Sequence, residues 1–137
     1  MTKAVILNEG IIASITGPTG PEQRRLANKV MEEALNRAHI PLEAITYIVS
    51  TGYGRINVPF ADKQFSEITC HAKAIANLFP NARTAIDIGG QDIKGIENDG
   101  TGRAEDFVMN DKCAAGTGRF LEVMAHALEV RLGDLGR

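Results

Sequence analysis

Apolar residues are arranged in two kinds of pattern along this 137-residue chain, and together the two patterns predict an α/β fold. Short runs of β-branched and apolar residues indicate strands, whereas apolar residues at three- and four-residue steps indicate helices with one buried face. The predicted strands are residues 3–8, 11–15, 45–50, 83–88, 93–97 and 104–109. The predicted helices are residues 21–38, a segment capped by Ser66 that ends before Pro80, and a segment from Phe120 onward. The predicted buried side of the second helix is Ile68, Ala72, Ile75, Ala76 and Phe79.

The first two strands predict a β-hairpin, because only Glu9-Gly10 separates them. A first strand of this kind normally pairs on its other side as well, so we expect the natural protein to have residues before it. The apolar positions of the first predicted helix are Leu26, Val30, Met31, Ala34 and Leu35. The charged residues around the rest of this helix are typical of a solvated face.

A second predicted hairpin contains the acidic residue that most strongly indicates chemistry. The strand Arg83–Ile88 is apolar enough to be buried, yet it carries Asp87 near its end. A carboxylate in that setting is costly unless a metal ion, water or hydrogen-bond donor pairs with it. We therefore predict a functional role for Asp87.

The turn after this strand, Gly89-Gly90-Gln91-Asp92, has the composition of a phosphate-binding nest. Its glycines let successive N–H groups point into the turn, where they can hold phosphate oxygens. The carboxylates of Asp87 and Asp92 would need a divalent cation to approach a nucleotide tail, and Mg²⁺ with carboxylate and water ligands fits. The return strand, residues 93–97, alternates apolar with polar positions.

Cys113 precedes the third helix and is the second candidate for chemistry. Gly116 and Gly118 leave the backbone free to approach a ligand closely. A cysteine at a helix N-terminus lies near the positive end of the helix dipole, which stabilises a thiolate. We interpret Cys113 as a thiolate that binds a metal or a partner sulfur; a buried cysteine before a tight turn is the alternative. The predicted buried face of this helix is Phe120, Val123, Met124, Ala127, Leu128 and Leu132.

Composition narrows the class of protein. The net charge of −2, with scattered Lys and Arg, gives no basic field for nucleic acid. The apolar runs are too short to span a membrane, and no signal peptide precedes them, so we expect a cytoplasmic protein. Two cysteines are too few for a disulfide framework. Of these, Cys70 is adjacent to His71 on a predicted helix, about 100° around it, so the two are not expected to share a metal.

Four motifs in order resemble the activators of 2-hydroxyacyl-CoA dehydratases, a family that includes the ATPase subunits of benzoyl-CoA reductases. The resemblance covers essentially the whole chain. The motifs are Ser50-Thr-Gly-Tyr-Gly-Arg55, Ser66-Glu-Ile-Thr-Cys-His-Ala72, Asp87-Ile-Gly-Gly-Gln-Asp92 and Asn110-Asp-Lys-Cys-Ala-Ala-Gly-Thr-Gly-Arg-Phe-Leu121. It implies an actin-like ATPase fold, related to sugar kinases and Hsp70, in an ATP-driven electron donor.

The resemblance also implies roles for individual residues. Asp87 would act on Mg²⁺ and the attacking water, and Gln91 would position that water. The phosphate contacts would be Gly89 and Gly90 with Asp92 nearby, and Gly116-Thr117-Gly118. Cys113 would be one of two cysteines that each subunit of a homodimer gives to a shared 4Fe-4S cluster. Reduced ferredoxin or flavodoxin would supply the electron, and an acyl-CoA dehydratase or reductase component would receive it.

The chain departs from this family at both ends. Only Thr2-Lys3 match the end of the family's first phosphate loop, and the chain stops at Arg137, before the second cluster cysteine. We therefore interpret residues 1–137 as a single incomplete ATPase domain that is inactive alone, and we assign the function to the parent protein.

Three alternatives remain open at this point. The chain is similar enough to the ATPase subunits of benzoyl-CoA reductases that its motifs do not decide between an activator and a reductase component. A sugar or N-acetylhexosamine kinase of the same fold would need an acceptor-sugar pocket and would have no use for Cys113. A non-catalytic domain that pairs with another chain would be blind to nucleotide.

Overall fold

The computed structural model describes residues 1–110 and 116–136, which form two compact units, Met1–Glu67 and Ile68–Arg137. The α/β fold class is confirmed, and the described strands divide among three small sheets. Two of these sheets are antiparallel, and one is a parallel pair. The prediction of a single incomplete domain stays a prediction.

The first unit begins with the predicted hairpin. Strands β1 (Thr2–Asn8) and β2 (Gly10–Gly17) pair antiparallel, with Leu7 opposite Ile11 across the tight link. Glu9, in that link, has a φ of 57°, a left-handed conformation that tight hairpin turns require. The second strand extends two residues beyond the predicted end, because Thr16 and Gly17 complete the pairing with Lys3 and Thr2.

Helix α1 (Gln23–Ala38) covers one face of this hairpin and begins two residues later than predicted. Its buried residues, Val30 and Ala34, lie on the predicted apolar face. His39 ends the helix with a φ of 56°, and its N–H donates to the carbonyl of Asn36. The apolar core of this unit consists of Ile6, Ala13 and Ala34, and the partly buried residues around it are Ala4, Ile15, Leu35, Ala38, Ile40 and Ile45.

The predicted strand 45–50 is mostly wrong. Only β3 (Val49–Ser50) is strand, and it pairs in parallel with the two-residue β4 (Lys63–Gln64). Ile48 immediately precedes β3, and its carbonyl accepts hydrogen bonds from the N–H groups of both Asp62 and Lys63. The regular strand pairing therefore does not extend to Ile48. A 3₁₀ turn at Leu42–Ala44 occupies the preceding residues.

The second unit has a three-stranded antiparallel sheet in the order β5 (Thr84–Ile88), β6 (Ile93–Asn98) and β7 (Ala104–Asn110). The hairpin prediction for β5 and β6 is therefore confirmed. Helix α2 (Glu67–Leu78) packs Ile68 and Ala72 against Ile96 of the central strand. Helix α3 (Gly118–Ala127) follows the third strand.

Three burial predictions for this unit are wrong. The β5 strand was expected to be buried, but Ile86 and Ile88 are exposed, because they share the face of the strand that no described element covers. Phe79 is exposed, because α2 ends at Leu78 and Phe79 lies beyond the packed turn. Ala125 is the buried residue of α3. Of the predicted α3 face, only Met124 is partly buried, and the exposed residues are Phe120, Val123, Ala127, Leu128 and Leu132. Leu128 and Leu132 lie beyond the helix, which ends at Ala127.

Among the described residues, no helix has both the length and the apolar character needed to cross a lipid bilayer.

Candidate functional site

The glycine turn between β5 and β6 is closed by its own backbone. The Gly89 N–H donates to the Asp92 carbonyl across 2.9 Å. A Cβ added at Gly89 would lie 3.0 Å from Asp92 Oδ1, so a side chain here would require Asp92 to shift. A Cβ added at Gly90 would meet no atom within 4 Å. The turn is therefore tight at Gly89 and open at Gly90, where a ligand can approach the backbone.

The start of α3 is docked on this turn. The N–H groups of Gly118 and Arg119 donate to the carbonyls of Gly89 and Gly90 at 3.0 and 2.9 Å. A Cβ on Gly118 would lie 3.3 Å from the Gly90 Cα, so a larger residue would require the turn to shift by a few tenths of an ångström. Two of the N–H groups that a helix normally leaves unpaired at its N-terminus are thus used to fix the turn. The close backbone approach predicted at Gly118 is made to the turn itself.

A cleft of about 500 Å³ lies where the turn and the helix meet. It is lined by Ile88, Gly89, Gly90, Gly116, Thr117, Gly118, Phe120 and Leu121. Thr117 is only 2% exposed, and within the described residues its hydroxyl oxygen has no hydrogen-bond partner. A buried hydroxyl in that state is rare unless a ligand, ion or water completes it. Gly116 has a φ of 80°, which a glycine adopts without strain.

Asp87 lies at the end of β5 with a half-buried side chain. Its Oδ2 is 3.5 Å from His71 Nδ1 on α2 and 3.8 Å from Lys94 Nζ on β6. Asp87 and Lys94 are cross-strand partners, so the hairpin register places the ammonium beside the carboxylate. Asp87 therefore lies beside one ammonium group and one imidazole nitrogen, and His71 Nδ1 makes no hydrogen bond within the described residues. The functional role of Asp87 stays a prediction.

Asp92 does not lie on the open side of the turn. Its carboxylate is buried, and its Oδ1 is 2.5 Å from Lys94 Nζ. A carboxylate enclosed with an ammonium supports the turn. The expected role of Asp92 at a nucleotide stays a prediction. Gln91, between Gly90 and Asp92, is exposed in the turn.

Lys94 and His71 were missed by the sequence analysis. Lys94 was assigned only to the polar positions of its strand, although its side chain is 4% exposed. The signal was present in the chain, because a four-residue link that pairs Ile88 with Ile93 must place Lys94 opposite Asp87. His71 had no such signal, since its approach to Asp87 depends on how α2 packs on the sheet.

Cys113 lies in the segment 111–115, outside the described residues. The prediction that it lies at or just before the start of a helix therefore stays a prediction. Within residues 1–110 and 116–136, no group of three or more His, Cys, Asp or Glu side chains is arranged to hold a metal ion. Cys70 is half-buried on α2, beside His71.

A glycine turn lies beside an acidic strand end, with a helix start docked on it. The fold is that of the N-terminal part of an actin-like ATPase. The chain belongs to the BadF/BadG/BcrA/BcrD ATPase family, whose sequence pattern matches residues 1–137. This finding confirms the family predicted from the four motifs.

Individual relatives refine the comparison. The activator of lactoyl-CoA dehydratase from Anaerotignum propionicum is 50% identical over an alignment of 141 positions. The alignment covers 98% of this chain and 52% of that protein. The solved activator of the 2-hydroxyisocaproyl-CoA dehydratase from Clostridium difficile, with bound ADPNP, is 48% identical, with a TM-score of 0.81 over 98% of this chain and 50% of that one. A benzoyl-CoA reductase component from Thauera aromatica is less similar, at 32% identity over 82% of this chain and 39% of that protein.

The chain therefore spans about half the length of the activators that it matches. Its similarity favours dehydratase activators over the benzoyl-CoA reductase component.

Proposed function

We propose that the protein is an ATP-dependent electron donor that activates a 2-hydroxyacyl-CoA dehydratase. The observation that carries the proposal is the placement of a half-exposed carboxylate, Asp87, beside a glycine turn that is open at Gly90. The names of the most similar relatives supply the partner class, since they are activators of acyl-CoA dehydratases. The ADPNP bound to one of them supports an adenine nucleotide as the ligand.

The residues of the turn fit a nucleotide with Mg²⁺. Mg²⁺ needs only one or two protein carboxylates when phosphates and waters complete its octahedron, so Asp87 alone meets the requirement. Gly90 offers open backbone to a phosphate, and the buried Thr117 hydroxyl offers a hydrogen bond from the other side of the cleft. Gln91 is exposed in the turn and would orient the attacking water. Bound Mg²⁺ would neutralise charge on the phosphates during hydrolysis.

Cys113 is the proposed link between ATP and the electron. Four thiolates are required for a 4Fe-4S cluster, so two subunits that give two cysteines each would satisfy it in a homodimer. When bound, that cluster would take one electron from reduced ferredoxin or flavodoxin and pass it to the dehydratase. In the sequence, Cys113 lies five residues before Gly118, whose N–H donates to the Gly89 carbonyl of the turn. A shift of the turn on hydrolysis would therefore reach the cysteine through the start of α3.

The proposed setting is an anaerobic cytoplasm, because an exposed cluster shared between subunits is oxygen-sensitive chemistry. Neither a membrane nor nucleic acid enters the proposed function.

The test is an iron and labile sulfide assay on anaerobically purified full-length protein. We expect about four irons per dimer, the content of one 4Fe-4S cluster. Cys113→Ala should lose the iron and the visible absorbance while the far-ultraviolet circular dichroism stays the same. Cys70→Ala is the matched control and should keep the iron. Adding the dehydratase, ATP and reduced ferredoxin should then give dehydration activity that Cys113→Ala lacks.

Two results would overturn the proposal. Unchanged iron in Cys113→Ala would remove the cluster from this cysteine. A full-length protein that contains no iron and transfers phosphate from ATP to a sugar would be a kinase of the same fold, and Cys113 would then be a core residue.

A further inference from the structure

We propose that His71 is a positioning residue of the nucleotide site: its Nδ1–H donates to Asp87 and fixes which oxygen of that carboxylate meets the bound cation. The inference rests on the proposed ATPase function and adds a residue to its site. His71 lies in the motif Ser66–Ala72, to which the proposed function gives no task.

The packing of α2 fixes the position of His71. The next residue, Ala72, is fully buried in the apolar cluster that contains Ile96 of the central strand. Ile96 and Asp87 lie on the same face of the sheet, because Ile96 pairs with Ala85, two residues before Asp87. The helix that covers this face therefore brings the imidazole of His71 to the carboxylate of Asp87.

The Nδ1 atom of His71 is buried and has no hydrogen-bond partner among the described residues. It lies 3.5 Å from Asp87 Oδ2. A nitrogen–oxygen hydrogen bond usually measures about 2.7–3.2 Å, so a movement of about 0.5 Å would form one. Catalytic hydrogen bonds are often this long before a ligand binds and shorten in the complex. A buried polar atom without a partner is rare in a folded protein, and this hydrogen bond would satisfy it.

The charge of Asp87 decides which nitrogen of the ring carries the proton. An unprotonated Nδ1 presents a lone pair, and a carboxylate oxygen 3.5 Å away would repel it. A protonated Nδ1 is attracted to the same oxygen, whether the ring as a whole is neutral or charged. We therefore expect a proton on Nδ1, and the proposed role does not depend on the charge of the ring.

Lys94 is the other side chain beside Asp87, and its short contact lies elsewhere. Its ammonium is 3.8 Å from Asp87 Oδ2 but 2.5 Å from the buried Asp92 Oδ1. With Oδ2 held by His71, Oδ1 is the oxygen available to a cation. One carboxylate oxygen, with waters and phosphates, is a usual protein share of a Mg²⁺ shell. Hydrogen-bond partners of such a carboxylate typically contribute about 10–100-fold to metal affinity or activity.

Three substitutions separate a hydrogen-bonding role of His71 from a packing role. In His71→Asn, the amide nitrogen takes the place of Nδ1, so the donor to Asp87 is kept. In His71→Gln, it takes the place of the other ring nitrogen, Nε2, and His71→Leu has no donor. Leucine also favours a helix more than asparagine does, so a packing role would make His71→Leu the better variant.

The experiment uses the full-length protein and measures kcat and KM for ATP at saturating Mg²⁺, and the Mg²⁺ concentration for half-maximal ADPNP binding. We expect kcat to fall about 10–100-fold in His71→Leu and His71→Gln, and to stay within about threefold of the wild type in His71→Asn. The half-saturating Mg²⁺ concentration should rise about tenfold in the same two variants. KM should change less than about threefold in all three, because the lost contact acts on Asp87 and not on the nucleotide.

Urea unfolding of the same variants gives the comparison that a structural role would not reproduce. Stability should follow the opposite order to activity, with His71→Leu at least as stable as His71→Asn. His126→Leu, at an exposed histidine in the last turn of α3, is the control and should match the wild type in every measurement.

A further readout requires no turnover. Nitrogen-15 NMR of the full-length protein labelled at histidine reports which ring nitrogen carries the proton. In the complex with ADPNP and Mg²⁺, we expect His71 Nδ1 to be protonated, with its signal assigned by its absence from His71→Asn.

The inference is overturned if His71 Nδ1 is unprotonated in that complex, or if His71→Asn and His71→Gln have the same kcat. The comparison of these two variants also decides the question if His71→Leu does not fold. Failure of the larger proposal looks different. A wild type that neither binds ADPNP nor hydrolyses ATP overturns both, whereas hydrolysis that requires Asp87 and is equal in all three variants overturns this inference alone.

Discussion

The two long hairpins of the chain share one architecture and bury opposite kinds of side chain. In β1–β2, the buried residues are Ile6 and Ala13, which form an aliphatic core with Ala34 of α1. In β5–β6 and its turn, Asp92, Lys94 and Asn98 are buried together with Ile96.

Burial of apolar area is favourable by itself, whereas burial of charge is favourable only when every partner is in place. The first hairpin is therefore organised for stability. The second hairpin buries charged and polar side chains, which costs stability unless they are paired. Their pairing holds the Asp87 carboxylate and the glycine turn in fixed positions. We expect substitutions in the two hairpins to separate accordingly, with stability lost in one and catalysis lost in the other.

The largest expected effect is on catalysis. Asp87→Asn keeps the size of the side chain and removes the charge proposed to organise Mg²⁺ and water. We expect the rate of phosphate release from ATP to fall by about two orders of magnitude or more. Glu97→Gln, an exposed acid on β6, is the control and should leave the rate unchanged. A loss smaller than about tenfold in Asp87→Asn would contradict the assigned role.

The next effect is on the stability of the first hairpin. Ile6→Ala removes buried aliphatic volume next to Ala34 and should lower the free energy of unfolding by about 2–4 kcal/mol. Urea unfolding, followed by hydrogen exchange of residues 2–17, measures it. Val5→Ala, at a 52% exposed neighbour on the other face of β1, should cost less than about 1 kcal/mol. Equal losses in the two variants would show that the hairpin is not held by its buried face.

A smaller effect tests the docking of α3 on the glycine turn. In Gly118→Ala, the new Cβ would lie 3.3 Å from Gly90 Cα and 3.6 Å from the Gly89 carbonyl, so the turn must move. We expect ADPNP affinity to fall about fivefold, although alanine favours a helix over glycine by about 1 kcal/mol.

Gly133→Ala provides the control, because a Cβ there meets no atom within 4 Å and affinity should not change. Wild-type affinity in Gly118→Ala would mean that the contact does not position the nucleotide site.

The smallest effect concerns the carboxylate of Asp99, in the loop between β6 and β7. The Thr101 hydroxyl and the N–H groups of Thr101 and Arg103 donate to Asp99, and these hydrogen bonds hold the pKa of Asp99 below its usual value. Because the folded pKa is the lower one, the stabilisation of this loop is fully present above the usual value and is lost as the pH falls through the lowered pKa.

Carboxyl NMR of Asp99 during acid titration checks this expectation. Its midpoint should lie below about 3.9, the value for an unperturbed aspartate, and loop amides should keep their protection down to that pH. Asp99→Asn should remove the acid dependence of those amides. A midpoint at or above the ordinary value would contradict the role of the hydrogen bonds.

The local elements followed from the sequence because their causes are local. Glu9-Gly10 specified one hairpin, Gly89–Asp92 specified the other, and Val30 with Ala34 marked the buried side of α1. The four motifs specified the family, which the match over residues 1–137 confirms. Asp87 was singled out for a similar reason, since a carboxylate among β-branched residues is unusual wherever the strand is packed.

Only the tertiary structure decided which faces are covered and which charges meet. Ile86 and Ile88 were predicted to be buried from their hydrophobicity, yet exposure depends on whether another element lies over an edge strand. The alternation along β6 could not show that Lys94 is enclosed between two carboxylates, or that His71 approaches Asp87 from another helix.

The sequence by itself determined the elements, the hairpin turns and the family, because these depend on residues close together in the chain. Packing determined the electrostatic surroundings of Asp87, because a Coulomb interaction depends on distance in space and on burial, and neither is encoded in the spacing of residues along a strand or helix.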